Sequence, residues 1–160
     1  MTLWGTLAGA VVGTIVLTSA LRISQAAGWT RMDIPLLLGT MFTESRSRAS
    51  AIGYVVHFLN GLLFSLVYYA VFRAEGQAGW GFGAVLGVVH ALFAGGALVN
   101  AILPAVHPHM GTPWSDAEET PLLEAPGFML QNYGQRTVIW TLAGHVLYGA
   151  IVGGFAAQLG

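Results

Sequence analysis

Four long stretches of the chain contain no charged residue, and this pattern restricts the fold more than any other feature of the sequence. The stretches run from Met1 to Leu21, from Ala49 to Phe72, from Gly76 to about Leu103 and from Thr137 to Gly160. Each is long enough to cross a hydrocarbon layer about 30 Å thick as a helix of about 20 apolar residues. Charged residues make up 8% of the chain, against about 25% in ordinary soluble domains. The sequence therefore predicts an all-α membrane protein with four transmembrane helices in a single transmembrane domain, residues 1–160.

Runs that are apolar at every position favour helices over a β-barrel, whose strands alternate lipid-facing apolar and lumen-facing polar residues. The first stretch has no basic residue ahead of it, as a secretory signal peptide would have, so we expect it to remain in the mature protein. The chain has no cysteine, which excludes disulfides and thiolate metal sites.

All six positive charges are arginines, and they are distributed unevenly between the two sides of the predicted membrane domain. With four crossings, the loops after the first and third helices share one side. That side carries Arg22, Arg31, Arg46, Arg48 and Arg136, and the other side carries Arg73. Because basic residues collect near helix ends on the cytoplasmic side, we expect both long loops in the cytoplasm and both termini outside.

Three motifs of the first half recur in the same order in the second half. Gly9-Ala10-Val11-Val12-Gly13 recurs as Gly83-Ala84-Val85-Leu86-Gly87, Asp33-Ile34-Pro35-Leu36-Leu37 as Glu119-Thr120-Pro121-Leu122-Leu123, and His57-Phe58-Leu59-Asn60-Gly61 as His145-Val146-Leu147-Tyr148-Gly149. Such order indicates a duplicated unit, with the first copy at about 1–75 and the second at about 76–160. Since both copies cross the membrane in the same direction, we expect two parallel two-helix repeats in a pseudo-twofold bundle.

The repeated motifs also predict local structure. Asp33 and Glu119, each two residues before a proline, are typical of helix starts, with the acid as the cap. The leucines that follow are too apolar for a free loop, which predicts interfacial helices in the long loops. A lid or re-entrant element over a site is the alternative. The glycines spaced four apart are interpreted as helix-packing seams.

Three histidines lie inside the predicted helices, where an ionisable side chain is costly and indicates a functional site. His57 and His145 occupy equivalent positions of the repeat, and His90 lies nearer the midplane without a counterpart. One hypothesis is a cofactor site, in which these residues bind haem b or a transition metal. A second is structural hydrogen bonding between helices, with Asn60, Tyr148, Ser65 or Thr141 as partners. A proton relay or a quinone contact is a third.

A separate metal-site candidate is the loop sequence His107-Pro108-His109-Met110. Imidazole with thioether suits copper, and imidazole with carboxylate suits zinc or iron. The alternative is a polar loop in which His107 and His109 meet solvent or lipid head groups.

The chain resembles, over most of its length, a family of small four-helix bacterial membrane proteins of unknown function. The resemblance is carried by Arg31-Met32-Asp33-Ile34-Pro35-Leu36-Leu37-Leu38-Gly39-Thr40-Met41-Phe42, by Gly9-Ala10-x-x-Gly13-Thr14 and by His57-x-x-x-Gly61. It implies a location in the bacterial inner membrane and no particular activity, so it assigns no catalytic residue.

Two functions follow as hypotheses. The first is an accessory or scaffold subunit without catalysis of its own, which contacts the lipid bilayer and packs against other membrane subunits or a second copy. The alternative is a haem- or metal-binding electron-transfer protein. No hydrolase motif is visible in the sequence, and six scattered arginines do not form a nucleic-acid footprint.

Overall fold

The computed structural model describes residues 1–111 and 123–159. The helices are α1 Leu3–Ala26, α2 Ile34–Gly39, α3 Arg46–Glu75, α4 Trp80–Leu92, α5 Leu103–Val106 and α6 Gln135–Gln158. A π-helical segment, Phe93–Ile102, joins α4 to α5 without a break, and a 3-10 turn, Phe128–Tyr133, precedes α6. Four helical spans are long and apolar enough to cross a membrane: Leu3–Ala26, Arg46–Glu75, Trp80–Val106 and Gln135–Gln158. The predicted all-helical architecture with four candidate spans is confirmed.

The helices extend past the uncharged stretches because arginine is compatible with a helix and carries its charge out to water on a long stem. Helix α3 shows this most clearly, since it contains 30 residues, which is about 45 Å. It begins with Arg46 and contains Arg73 in its last turn. Gly76, in the left-handed conformation at φ 65°, ends it. Charge therefore does not mark where a helix ends.

Helices α1 and α6 form the centre of the bundle. They pack against each other, α3 packs on α1, and α4 packs on α6. Of the most apolar part of each helix, 44% is buried in α1 and α6, against 17% in α3 and 28% in α4. Within the described ranges, the backbones of α3 and α4 do not pack closely together. The two outer helices thus leave space between their backbones.

Glycines make the close helix contacts, as predicted. A Cβ atom at Gly83 or Gly87 of α4 would collide with backbone carbonyl oxygens of α6. Gly9 and Gly13 of α1 also pack on α6, where an added Cβ would lie 2.9 Å from side-chain atoms of Phe155 and of Tyr148. The two copies of this motif therefore pack on the same helix. These contacts do not show the pseudo-twofold arrangement, which remains a prediction.

The predicted helix start at Asp33 is present. A carboxylate oxygen of Asp33 accepts the backbone N–H of Leu36 at 3.1 Å, and Arg22 pairs with the other oxygen at 2.8 Å. Helix α2 then packs on α3, with Gly39 and Gly53 at the contact. Of the equivalent motif, Glu119 to Leu122 lies outside the described residues. Leu123 is extended and bridges to Met110.

The two ends of the bundle are distinct. At one end the hydroxyl of Thr2 donates to the carbonyl of Leu159 at 2.7 Å, so the two termini are adjacent. At the other end the N–H of Arg31 donates to the carbonyl of Tyr133 at 2.8 Å, which joins the segments after α1 and before α6. We call these the terminal end and the loop end. The described parts of both long connections, residues 27–45, 107–111 and 123–134, lie at the loop end.

Candidate functional site

A cavity of about 250 Å³ lies inside the bundle, in the space that α3 and α4 leave between them. Residues of α1 and α6 form its back wall, and α2 with the π-helical segment forms its walls toward the loop end. These walls are mostly aliphatic, with Leu37, Leu38, Leu98, Val99, Ile102 and Val106 among the contributors. The cavity therefore suits an apolar molecule.

Three histidines of the candidate spans line the end of this cavity that is farther from the loop end, which we call its deep end. His57 comes from α3, His90 from α4 and His145 from α6, and all three line it. The ring centres of His90 and His145 are 4.7 Å apart, with one ring edge toward the face of the other. The residue in ring contact with His145 is thus His90, which has no counterpart in the repeat.

Aromatic rings close the cavity toward the terminal end. Phe64, Tyr68 and Phe72 recur every fourth residue and so share one face of α3. The ring centre of Phe64 is 4.1 Å from that of His90, and the ring centre of Phe72 is 5.9 Å from that of Phe82. These rings fill the gap between the outer helices. Their spacing of four residues in the sequence indicates this shared face of α3, which was not among the expectations drawn from the sequence.

Two polar atoms at the deep end are buried without a partner. Within residues 1–111 and 123–159, neither Nε2 of His57 nor the hydroxyl oxygen of Thr141 makes a hydrogen bond. Leaving a buried polar group unpaired costs about 1–3 kcal/mol. Such groups are rare in folded proteins, and a bound water, ion or ligand is a common explanation.

The hydrogen bond of His145 determines which ring nitrogen can accept. Nδ1 of His145 lies 2.7 Å from the backbone carbonyl oxygen of Thr141. A carbonyl only accepts, so Nδ1 carries the proton. An imidazolium inside a membrane span is costly, and the ring is therefore neutral. Nε2 then presents a lone pair and has no proton to donate.

The hydrogen bonds predicted between the helix histidines and neighbouring side chains are largely replaced by bonds to the backbone. Ser65 donates to the carbonyl of Leu62 at 2.7 Å, and Tyr148 donates to the carbonyl of Gly61 at 2.5 Å. The interaction of Thr141 with His145 uses its carbonyl rather than its hydroxyl. For Ser65 and His145 the acceptor is a carbonyl three or four residues earlier in the same helix, and such local bonds compete with side-chain contacts between helices. The acceptor of Tyr148, Gly61, lies on the neighbouring helix α3.

His90 and His145 are too close to bind one haem iron from opposite sides, and the haem site predicted at His57 and His145 stays a prediction. Two imidazoles that hold one metal ion from opposite sides have ring centres at least about 6 Å apart, since each metal–nitrogen bond is about 2 Å. His90 and His145 are in direct ring contact at 4.7 Å. Among the described residues no three His, Asp or Glu side chains are grouped to hold a metal ion.

The loop histidines occupy a different place, at the loop end beside α2. Nε2 of His107 lies 3.1 Å from the carbonyl oxygen of Leu37, and Nδ1 accepts the N–H of His109 at 3.1 Å. Burial lowers the pKa of His107 below its ordinary value of 6.5, the bond to Leu37 opposes this, and nearby His109 adds to it. In this arrangement both nitrogens of His107 are occupied. Nδ1 of His109 bonds to the carbonyl of Thr40 at 2.9 Å, which leaves Nε2 as the ring nitrogen best placed to bind a metal. The metal site predicted at His107 and His109 stays a prediction.

The 3-10 turn contains backbone strain at the cavity wall. Met129 and Leu130 are buried and have positive φ values of 52° and 59°. A side chain is disfavoured in that region, and such strain is concentrated at functional sites. Met129 contacts Gly95 of the π-helical segment, and Leu130 lines the cavity. No sequence motif signals this turn.

No protein-family model, curated protein or solved structure matches the chain, so the functional argument rests on the site itself.

Proposed function

We propose that the protein is a membrane-embedded binding protein for a small lipid-soluble molecule that carries a polar group. The observation that carries this proposal is the cavity itself, whose aliphatic walls end at buried polar atoms without partners. Ligand sites are mostly apolar concavities with a few convergent polar groups. The ligand's apolar part lies against α2 and the π-helical segment, and its polar group lies at the histidines.

A purely structural role for the histidines does not explain why two buried polar atoms at the deep end lack a hydrogen-bond partner among the described residues. Structural polar groups in a bundle stabilise it by pairing with one another, whereas Nε2 of His57 and the hydroxyl of Thr141 stay unpaired within the described part of the chain. A ligand that pairs with them removes that cost.

A metal ion at the same histidines is the second candidate function. It is supported by the bond from Nδ1 of His145 to a carbonyl, since metal-binding histidines commonly donate their other ring N–H in this way. Metal analysis of purified protein tests it. Stoichiometric metal that is lost in both His90→Ala and His145→Ala would favour an ion over an organic ligand.

The sequence also supports hypotheses about the membrane location and the assembly of the protein. We propose an accessory subunit in a bacterial inner membrane, with the loop end in the cytoplasm and the four spans derived from a duplicated two-helix unit. The outer faces of α3 and α4 support contact with lipid or another subunit, because Val55, Leu63 and Val89 among others are about 60% exposed there. The size of the particle in mild detergent, compared with 16.9 kDa for one chain, tests self-association or partnership.

Mass spectrometry of the organic extract of the protein purified in mild detergent tests the binding proposal. Wild type should yield a small molecule in stoichiometric amount. Leu98→Trp, which fills the cavity from the π-helical segment, should lose it. Leu92→Trp is the matched control, because Leu92 is 54% exposed on the outer face of the same span, and it should retain the molecule. Equal extracts from all three proteins would disprove specific binding in the cavity.

A further inference from the structure

We infer that the ligand is a lipid-soluble phenol, a class that includes quinols, and that its hydroxyl group donates a hydrogen bond to Nε2 of His145. This inference rests on the proposed binding function and adds the chemical class of the ligand. It starts from the hydrogen-bonding needs of the polar atoms at the deep end of the cavity.

The Nε2 atom of His145 needs a hydrogen-bond donor. His145 is neutral and carries its proton on Nδ1, because that nitrogen lies 2.7 Å from the carbonyl oxygen of Thr141. Nε2 therefore accepts and cannot donate. A ketone, ether or ester oxygen has no proton to donate to this nitrogen, whereas an O–H group has one. The ligand that fits His145 is thus a compound with an O–H or N–H group.

A hydroxyl oxygen also accepts a hydrogen bond. The hydroxyl of Tyr68 lies 3.4 Å from Nδ1 of His90. When Tyr68 donates to this nitrogen, Nε2 of the neutral His90 ring carries the proton and can donate to the ligand oxygen. The rings of His90 and His145 are in contact at 4.7 Å, so one oxygen can interact with both. The amide of Asn60, which also lines the cavity, supplies a further donor.

The lining and the volume of the cavity indicate which kind of apolar group accompanies this hydroxyl. Aromatic side chains line the deep end, where Phe64, Trp140 and Tyr148 join the histidine rings. Aromatic rings favour ring partners in offset or edge-to-face arrangements. The cavity volume of about 250 Å³ matches one ring with a short chain, given about 30 Å³ for a water molecule. The aliphatic walls then contact the chain, and a ring-bound hydroxyl is a phenol.

The experiment compares three probes of similar size: an alkylhydroquinone, its dimethyl ether and an alkylbenzene with the same chain. Binding is measured by equilibrium dialysis with the full-length protein in detergent. Wild type should bind the hydroquinone about threefold to tenfold more tightly than the dimethyl ether, the range expected for one hydrogen bond between neutral groups. His145→Phe keeps a ring of similar shape and removes the acceptor, so it should bind the two probes equally.

Leu147→Phe is the control, because Leu147 is 43% exposed on the same helix and does not line the cavity, and it should retain the preference for the hydroquinone. Equal binding of hydroquinone and ether by wild type, or a preference that persists in His145→Phe, overturns the assignment. If the alkylbenzene binds as tightly as the hydroquinone and Leu98→Trp abolishes both, the cavity function stands and the phenol assignment fails. If no probe binds and the purified protein yields no bound molecule, both proposals fail.

Discussion

Among the buried side chains, Thr137 and Thr141 form a natural pair for comparison, one turn apart on α6. The hydroxyl of Thr137 shares a hydrogen bond of 2.6 Å with the hydroxyl of Thr30, in the segment after α1. The hydroxyl of Thr141 has no partner within the described residues. The same side chain thus stabilises the fold at one position and, at the other, is left unpaired beside the cavity.

Replacing each threonine by valine should separate the two roles. Thr137→Val removes the bond between the two hydroxyls, although the hydroxyl of Thr30 still accepts the N–H of Met32. It should lower the free energy of unfolding by about 1–2 kcal/mol. Thr141→Val removes an unpaired buried hydroxyl and should leave the ligand-free protein as stable as wild type or slightly more stable. Unfolding in mixed detergent micelles measures both. A loss at Thr141 as large as at Thr137 would show that the hydroxyl of Thr141 has a partner.

His107 predicts a pH dependence at the loop end. Burial holds its pKa below 6.5, so the folded protein favours the neutral ring and the unfolded chain binds the proton more readily. Its contribution to stability is complete above pH 6.5 and is lost as the pH falls below that value. The thermal unfolding temperature of wild type should therefore fall more between pH 7.5 and pH 5 than that of His107→Gln.

Ser47→Ala serves as the control for this series, since Ser47 is exposed near the loop end and has no ionisable side chain. It should follow the wild-type pH curve. Parallel curves for wild type and His107→Gln would mean that protonation of His107 does not affect the fold.

At the scale of elements, the glycine contacts between α4 and α6 set the position of His90 relative to His145. A Cβ at Gly87 would collide with the carbonyl oxygen of His145 itself. Gly87→Ala should therefore push the helices apart and cost about 1–3 kcal/mol. Gly81→Ala, in the same helix with no atom within 4 Å of the added Cβ, should be neutral or slightly stabilising because alanine favours helix. Equal stability of the two variants would argue against this close contact.

The elements differ in how far the sequence could predict them. The four spans and the cap at Asp33 could be predicted, because apolar length and cap chemistry are local properties. The contact of His90 with His145 could not, since it depends on how far α4 is turned and shifted against α6. The repeat pointed instead to His57 and His145. The strained turn at Met129 and Leu130 also gave no local signal, because tertiary packing over Gly95 holds it.

For the whole molecule, the arrangement of the ends makes membrane orientation testable. Both termini lie at one end and the described parts of both long connections at the other, and the arginine distribution predicts the loop end in the cytoplasm. The chain has no cysteine, so single-cysteine variants need no prior background changes. A membrane-impermeant maleimide should label Gln77→Cys in intact cells and should label Ser45→Cys only after permeabilisation. The reverse pattern would place the loop end outside.

We propose that a lipid-soluble molecule binds inside the bundle rather than on its surface, and photolabelling in liposomes distinguishes the two locations. A photoreactive alkylphenol should label peptides containing His57 to Phe64, Ala94 to Val99 and Thr141 to Tyr148, and an excess of unlabelled alkylphenol should suppress that labelling. Leu98→Trp should abolish it, and Leu92→Trp should not. Labelling confined to the outward-facing residues of α3 and α4, unchanged by competitor or by Leu98→Trp, would contradict the account.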